Sequence, residues 1–173
     1  LQSMPHGRAQ AQHARLTLDR DGTFRSLWID VVNDAGAYPM VGAVIPMATT
    51  LMAPGTYRIP AVSGGGRSVC TNRTPLGAYR GAGRPEATAM LERLVDVAAT
   101  ELGIDPVELR RRNLVTAAEQ PYTSATGMTY DGGDYPALLD AVVERLGHAE
   151  GRAEQVGRRR AADNPPLRGR GAV

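Results

Sequence analysis

The residues with the most chemical potential are consecutive: Ala78, Tyr79, Arg80, Gly81, Ala82, Gly83, Arg84, Pro85 and Glu86. Glycines at 81 and 83 let a backbone approach a ligand closely. Pro85 presets the first turn of a helix. A helix N-terminus carries free N–H groups and partial positive charge, which attract anions. Arg80 and Arg84 add planar, permanently charged donor forks. The stretch reads as a donor-rich concavity for an anion. An ordinary loop-to-helix turn has the same composition, and the residues alone leave both readings open. Arg84 and Glu86 read more simply as a local ion pair at the helix start.

Other reactive residues are dispersed. His6, His13 and His148 show no metal-ligand spacing, so no metal ligands are assigned. Cys70 is the only cysteine. This chain alone therefore builds no disulfide, Fe–S cluster or cysteine zinc site, and a reducing compartment, the cytoplasm, is the natural expectation. Asp131 and Asp134 flank Gly132-Gly133, which reads as a turn. Arg110, Arg111 and Arg112 read as a solvated or inter-subunit face.

Composition narrows the classes. All 20 basic residues are arginine, and 18 acids are interspersed among them, for a net charge of +2. Without a basic stripe, nucleic-acid binding has little support. No apolar run is long enough for a membrane span, and no secretory leader is visible. Apolar residues make up 42% of the 173 positions, but aromatics only 5%. A core of Ala, Val, Leu and Met is expected, thin enough to need neighbours. Residues 1–173 are read as one part of a domain, with both ends looking interrupted.

The elements that must position the glycine stretch follow from periodicity. Residues 14–20 and 23–32 are two extended runs joined by Asp21-Gly22, a hairpin signature. Residues 42–53 suggest a short buried helix with Pro46 in its first turn. Gly64-Gly65-Gly66 suggests a bulge or loop between short extended pieces. Residues 86–102 form the clearest helix, with Met90, Leu91, Leu94, Val95, Ala98 and Leu102 on one face and Gly103 beyond its end. Asp105, Pro106 and Glu108 start a second helix as N-cap, N1 and N3. Residues 116–135 look loop-like. Residues 136–146 form a third helix closed by Gly147, and 150–162 a fourth, charged one.

These strings resemble a known family. AYRGAGRPEA followed by LERLVDVAATELGIDPVELRRRNL is similar to the signature region of the large subunit of aerobic carbon monoxide dehydrogenase-like proteins, form II branch. These lie within the xanthine dehydrogenase/aldehyde oxidase superfamily. HGRAQ, DAGAYP, YRIPAV, TNRTPLG and YDGGDY extend the resemblance over nearly the whole chain. It implies an α+β fold, hairpins packed with several helices, forming part of the molybdopterin-binding domain of a molybdenum hydroxylase. It implies water-derived oxidative hydroxylation of a small substrate. The implied cofactor is molybdopterin cytosine dinucleotide with molybdenum, held by its dithiolene rather than by side chains. A 2Fe–2S small subunit and an FAD-binding medium subunit are the implied partners, in a dimer of heterotrimers. Ala78, Tyr79 and Arg80 match the tripeptide lining the molybdenum centre, and Gly81, Ala82 and Gly83 continue that cofactor-binding loop. Arg80 is the implied catalytic residue.

Two departures bear on substrate. Carbon monoxide dehydrogenases read AYRCSFR here, and the cysteine binds copper; this chain has Gly81. Purine hydroxylases carry an aromatic at the position of Ala82 and an upstream substrate-binding arginine, where gap-free counting places Ala48. Neither CO nor purine oxidation is favoured, which leaves a small aldehyde, an N-heterocycle or another carbon acid. The family's glycine-phenylalanine motif, glutamine-glycine loops and general-base glutamate are not in this sequence, so the chain alone is expected to be inactive. Two other classes stay open. One is a scaffold that keeps the fold without the chemistry. The other is a nucleotide-phosphate module, which the lack of any lysine disfavours.

Overall fold

The computed structural model describes residues 5–148, 151 and 152. Strand β1 (Gln10–Leu18) and strand β2 (Phe24–Gly36) form the expected antiparallel hairpin, and both run longer than the alternation alone suggests. Strand β3 (Ala61–Cys70) pairs parallel with β2, so β2 is the middle of a three-stranded sheet. Parallel neighbours need a long crossover. Here it contains a short 3-10 turn (Val41–Val44) and helix α1 (Ile45–Met52), with Pro46 in the first turn as expected.

A bulge sets the inward face of β2. The pairing steps from Thr17 opposite Ser26 to Leu18 opposite Phe24, leaving Arg25 without an opposite residue. The extra residue shifts the phase of alternation. Phe24 and Leu27 therefore both point inward, ahead of Ile29 and Val31. Trp28 falls on the other face, 41% exposed, with the Arg15 guanidinium 5.8 Å from its ring centroid.

The glycine triplet is not a loop. Gly64, Gly65 and Gly66 lie within β3, opposite Ile29, Asp30 and Val31. Close packing demands glycine at 64 and 66, while Gly65 faces open space. A Cβ on Gly64 would stand 1.8 Å from the Ile29 carbonyl oxygen, and one on Gly66 would stand 2.6 Å from the Pro46 Cβ. Strand propensity at Gly66 yields to the approach of α1.

Helix α2 (Arg84–Leu102) covers the inner face of the sheet. Its buried residues are Ala87, Met90, Leu91, Val95, Ala98 and Ala99, close to the predicted stripe. They meet Phe24, Leu27, Ile29, Tyr57 and Ile59 in one core. Burying a side chain the size of Leu91 contributes about 1.5–3 kcal/mol. The two aromatics buried in this core, Phe24 and Tyr57, pack edge to face at 5.6 Å. Gly103 ends α2 at φ 67°. Helix α3 (Pro106–Asn113) starts as expected, with the Asp105 side chain accepting from the N–H groups of Val107 and Glu108.

Two loop-like expectations are refined. Residues 116–135 contain a short 3-10 turn (Ala117–Glu119) and a small hairpin, β4 (Tyr122–Thr123) with β5 (Thr129–Tyr130). Asp134 is the N-cap of helix α4 (Tyr135–Leu146), so the Asp131 to Asp134 segment is a turn into a helix. The predicted charged helix at 150–162 lies almost entirely outside the described residues.

Arg110 also differs from expectation. Its side chain is only 17% exposed and bonds Glu92 at 2.7 Å and Asp96 at 2.9 Å, while Glu92 accepts from the Tyr57 hydroxyl. Burial opposes the charge on Arg110 most strongly, but Glu92, Tyr57 and Asp96 together outweigh it and raise its pKa. Arg111 and Arg112 do sit at the surface, paired with Asp140 and Glu108.

One polar residue ties hairpin to helix. Asn113 is 2% exposed. Its Oδ1 accepts from the Phe24 N–H at 2.9 Å, and its Nδ2 donates to the Gly22 and Leu109 carbonyls, each at 2.9 Å. Truncation would leave buried backbone groups unpaired, each worth roughly 1–3 kcal/mol. Asn113→Ala is predicted to destabilise by roughly 2–4 kcal/mol. Urea unfolding measures this, and an unchanged midpoint would refute the keystone role.

Candidate functional site

The approach to the glycine stretch is threaded between two other segments. Residues 71–77 run past the end of β2 on one side and residues 6–7 on the other. Ala37 donates its N–H to the Arg73 carbonyl at 3.0 Å, and Thr71 donates to the Gly36 carbonyl at 3.1 Å. His6 donates to the Pro75 carbonyl, and Gly77 donates back to the His6 carbonyl at 2.8 Å. A Cβ on Gly42 would stand 1.9 Å from the Leu76 carbonyl oxygen, so the 3-10 turn also closes on this segment.

Asp34 holds the junction. Its carboxylate accepts from the Thr71 hydroxyl at 2.7 Å and the Gly36 N–H at 2.8 Å, with the Arg73 guanidinium at 3.6 Å. The Thr71 hydroxyl, the Gly36 N–H and the nearby arginine hold its pKa below the usual carboxylate range. A cleft of about 440 Å³ opens beside it, lined by His6, Asn72, Arg73 and Leu76 among others. The stretch 78–83 does not line this cleft.

The loop itself is built from left-handed backbone. Gly81, Ala82 and Gly83 have φ of 94°, 37° and 96°. Such a conformation costs a non-glycine residue such as Ala82 of order 1–3 kcal/mol and persists only when the surroundings impose it. The imposing contacts are visible. Ala82 donates its N–H to the Tyr79 carbonyl at 2.8 Å, and Arg84 donates to the Gly81 carbonyl at 3.1 Å. A Cβ on Gly83 would stand 2.8 Å from both the Ala48 Cβ and the Thr49 nitrogen, so this loop lies directly on α1. Ala48, the position reached by gap-free counting, is thus brought against the motif.

The helix N-terminus differs from the sequence expectation. Glu86 does not pair with Arg84. Its carboxylate turns back and accepts from the Gly83 N–H at 3.0 Å. The chain supplies its own anion at this helix start, which suits the dipole of α2. Gln12 then fastens this turn to β1 by donating to the Glu86 carbonyl at 3.2 Å.

What the loop presents outward are side chains. Tyr79 is 66% exposed, and Arg80 and Arg84 are exposed. Gly81 and Ala82 are half-buried, Ala78 is exposed and Gly83 is buried. Arg8 was not singled out by the sequence reading, yet it joins the group. Its guanidinium lies 5.0 Å from the Tyr79 ring centroid and donates to the Arg80 carbonyl at 2.7 Å. Nothing in local sequence spacing links positions so far apart. The remaining candidates stay apart from the loop: Cys70 is exposed at the end of β3, and His148 lies 3.4 Å from Asp105. Among the described residues no three His, Cys, Asp or Glu side chains gather as a metal site, and no helix is long and apolar enough to cross a membrane.

Comparisons with known proteins agree with one another. The family model described as molybdopterin cofactor-binding domain matches residues 1–114. The carbon monoxide dehydrogenase large chain of Hydrogenophaga pseudoflava is 36% identical over 157 residues, covering 88% of this chain and 20% of that one. The xanthine dehydrogenase molybdenum-binding subunit of Escherichia coli O157:H7 is 37% identical over 126 residues, covering 73% of this chain and 16% of its own. Among solved structures, quinoline 2-oxidoreductase from Pseudomonas putida 86 superposes with a TM-score of 0.84 at 32% identity, over 91% of this chain and 20% of that one. The chain spans about one fifth of the length of such relatives. With the family model matching well over half its length, the chain belongs to the molybdopterin cofactor-binding domain family.

Proposed function

We propose that this chain forms one wall of the molybdenum site in the large subunit of a molybdenum hydroxylase. That enzyme oxidatively hydroxylates a small substrate with oxygen drawn from water. The observation that carries the reading is the loop at 78–83. It is held in a strained conformation against α1 and directs Tyr79 and Arg80 outward, while Glu86 is turned in. Strain maintained at a surface loop is a mark of a working site.

The residues fit a molybdopterin at one edge. Exposed arginines at 80 and 84 suit an anionic cofactor, and the half-buried Gly81 and Ala82 leave the loop low enough for close approach. Ala78, Tyr79, Arg80, Gly81, Ala82 and Gly83 are the proposed contacts. The bound group supplies the two-electron oxidation. Arg80 is the proposed catalytic residue, stabilising negative charge that develops on the substrate. Molybdopterin cytosine dinucleotide is the proposed form of the cofactor. A 2Fe–2S small subunit and an FAD-binding medium subunit, in the cytoplasm, are the proposed partners that would accept its electrons. Residues 1–173 are proposed to be one part of that domain, completed by chain outside this sequence. Ala48 offers no guanidinium and Ala82 no aromatic face, which supports a small aldehyde, an N-heterocycle or another carbon acid over a purine.

Two outcomes are expected. Arg80→Ala in the complete enzyme is predicted to lower turnover about 100- to 1,000-fold, roughly the 3–4 kcal/mol of one preorganised donor. Bound molybdenum should stay near normal, and Arg80→Lys should rescue poorly because it lacks the planar fork. Turnover and molybdenum must be measured together. Unchanged turnover at full occupancy removes Arg80 from the reaction, and parallel loss of both recasts it as a cofactor-retaining residue. The second outcome concerns copper. Gly81 has no thiolate to bind it, so metal analysis should find molybdenum without stoichiometric copper. Stoichiometric copper whose removal abolishes CO oxidation would falsify this.

A further inference from the structure

Arg8 has an unusual combination of properties. It is a non-glycine residue at φ 63°, in the left-handed region. An arginine rarely adopts this conformation, so the surroundings must impose it. Its two partners are both in the motif, the Tyr79 ring face and the Arg80 carbonyl oxygen. The neighbouring backbone is drawn in as well. A Cβ on Gly7 would stand 2.8 Å from the Tyr79 Cβ, and His6 exchanges backbone hydrogen bonds with Pro75 and Gly77. Residues 6–8 therefore form a strap laid along the motif, ending in the Arg8 guanidinium.

The target of that guanidinium is specific. The Arg80 carbonyl belongs to the peptide joining Arg80 to Gly81. Gly81 has no Cβ and accepts φ of either sign, which frees this peptide plane to rotate, whereas the plane ahead of Gly83 is buried against α1. A rotated plane would re-aim both the Arg80 side chain and the turn at Gly81 to Gly83. A charge-assisted hydrogen bond at 2.7 Å fixes the plane, and the cation over Tyr79 fixes the preceding residue. A guanidinium can lie over a ring and donate from its edge in one fixed plane, a geometry that a compact, strongly hydrated ammonium on a flexible stem holds less well.

We infer that Arg8 is a positioning residue that locks the Arg80–Gly81 peptide plane and so sets the direction of Tyr79 and Arg80. Its importance to turnover rests on the proposed function, but its action on the loop does not. The test is amide hydrogen exchange on the purified native protein, comparing Arg8→Ala and Arg8→Lys with the unchanged sequence. Arg8→Ala should speed exchange in the peptide covering 78–87 by about tenfold, the loss of one charged hydrogen bond, with β2 amides at Leu27 to Val31 unaffected. Arg8→Lys should lie near Arg8→Ala. Unchanged exchange at 78–87 overturns the inference. Equal loosening of β2 also overturns it, since Arg8 would then support the fold at large. Full rescue by lysine overturns the two-point hold. Turnover measured on the same samples separates the two readings. A loosened loop with normal turnover upholds Arg8 as the lock and counts instead against a catalytic Arg80.

Discussion

Helix α1 lies against both the sheet and the motif loop because Gly66 and Gly83 present no side chain to it. Pro46 meets β3 at one glycine, and Ala48 with Thr49 meets the loop at the other. The rest of the arrangement depends on these contacts. With α1 fixed, the loop cannot relax out of its left-handed run, and α2 must begin where it does. Helix α2 in turn covers the sheet with Met90, Leu91 and Val95. Close packing of this kind transmits position, since interiors packed like crystals resist small displacements.

Carboxylates serve the interior of this region and arginines its exterior. Asp34 binds the end of β2 to the start of the motif segment, and Glu86 closes the turn before α2. Each accepts from backbone N–H groups that would otherwise lack partners, as an N-cap or turn carboxylate does. With the acids turned inward, the loop shows the outside Tyr79, Arg80 and Arg84. That distribution favours an anionic neighbour.

The chain's length relative to its relatives shapes its role. It matches about one fifth of such proteins, yet within that span it has a continuous core and a fully anchored loop. Several apolar side chains between Tyr38 and Met47 stand exposed, among them Met40, Val41 and Val44. Apolar exposure clustered this way is the pattern of a surface meant to be covered. The thin, aromatic-poor composition pointed the same way.

Local chemistry decided much of this protein. The hairpin around Asp21-Gly22, the caps at Asp105 and Gly103, and the stripe on α2 all depend on neighbours a few residues apart, where periodicity and turn geometry act. The motif at 78–86 was legible for the same reason, being contiguous. Tertiary structure alone decided the rest. Gly64 and Gly66 sit in a strand where Ile29 and Pro46 leave no room for a side chain, and Arg110 is half-buried because Glu92 and Asp96 on another helix pair with it. Glu86 turned to the backbone rather than to Arg84, and Arg8 reached Tyr79 and Arg80 across a long loop of chain. In each case the deciding partner is distant in sequence or one of several local options, and only packing selects it.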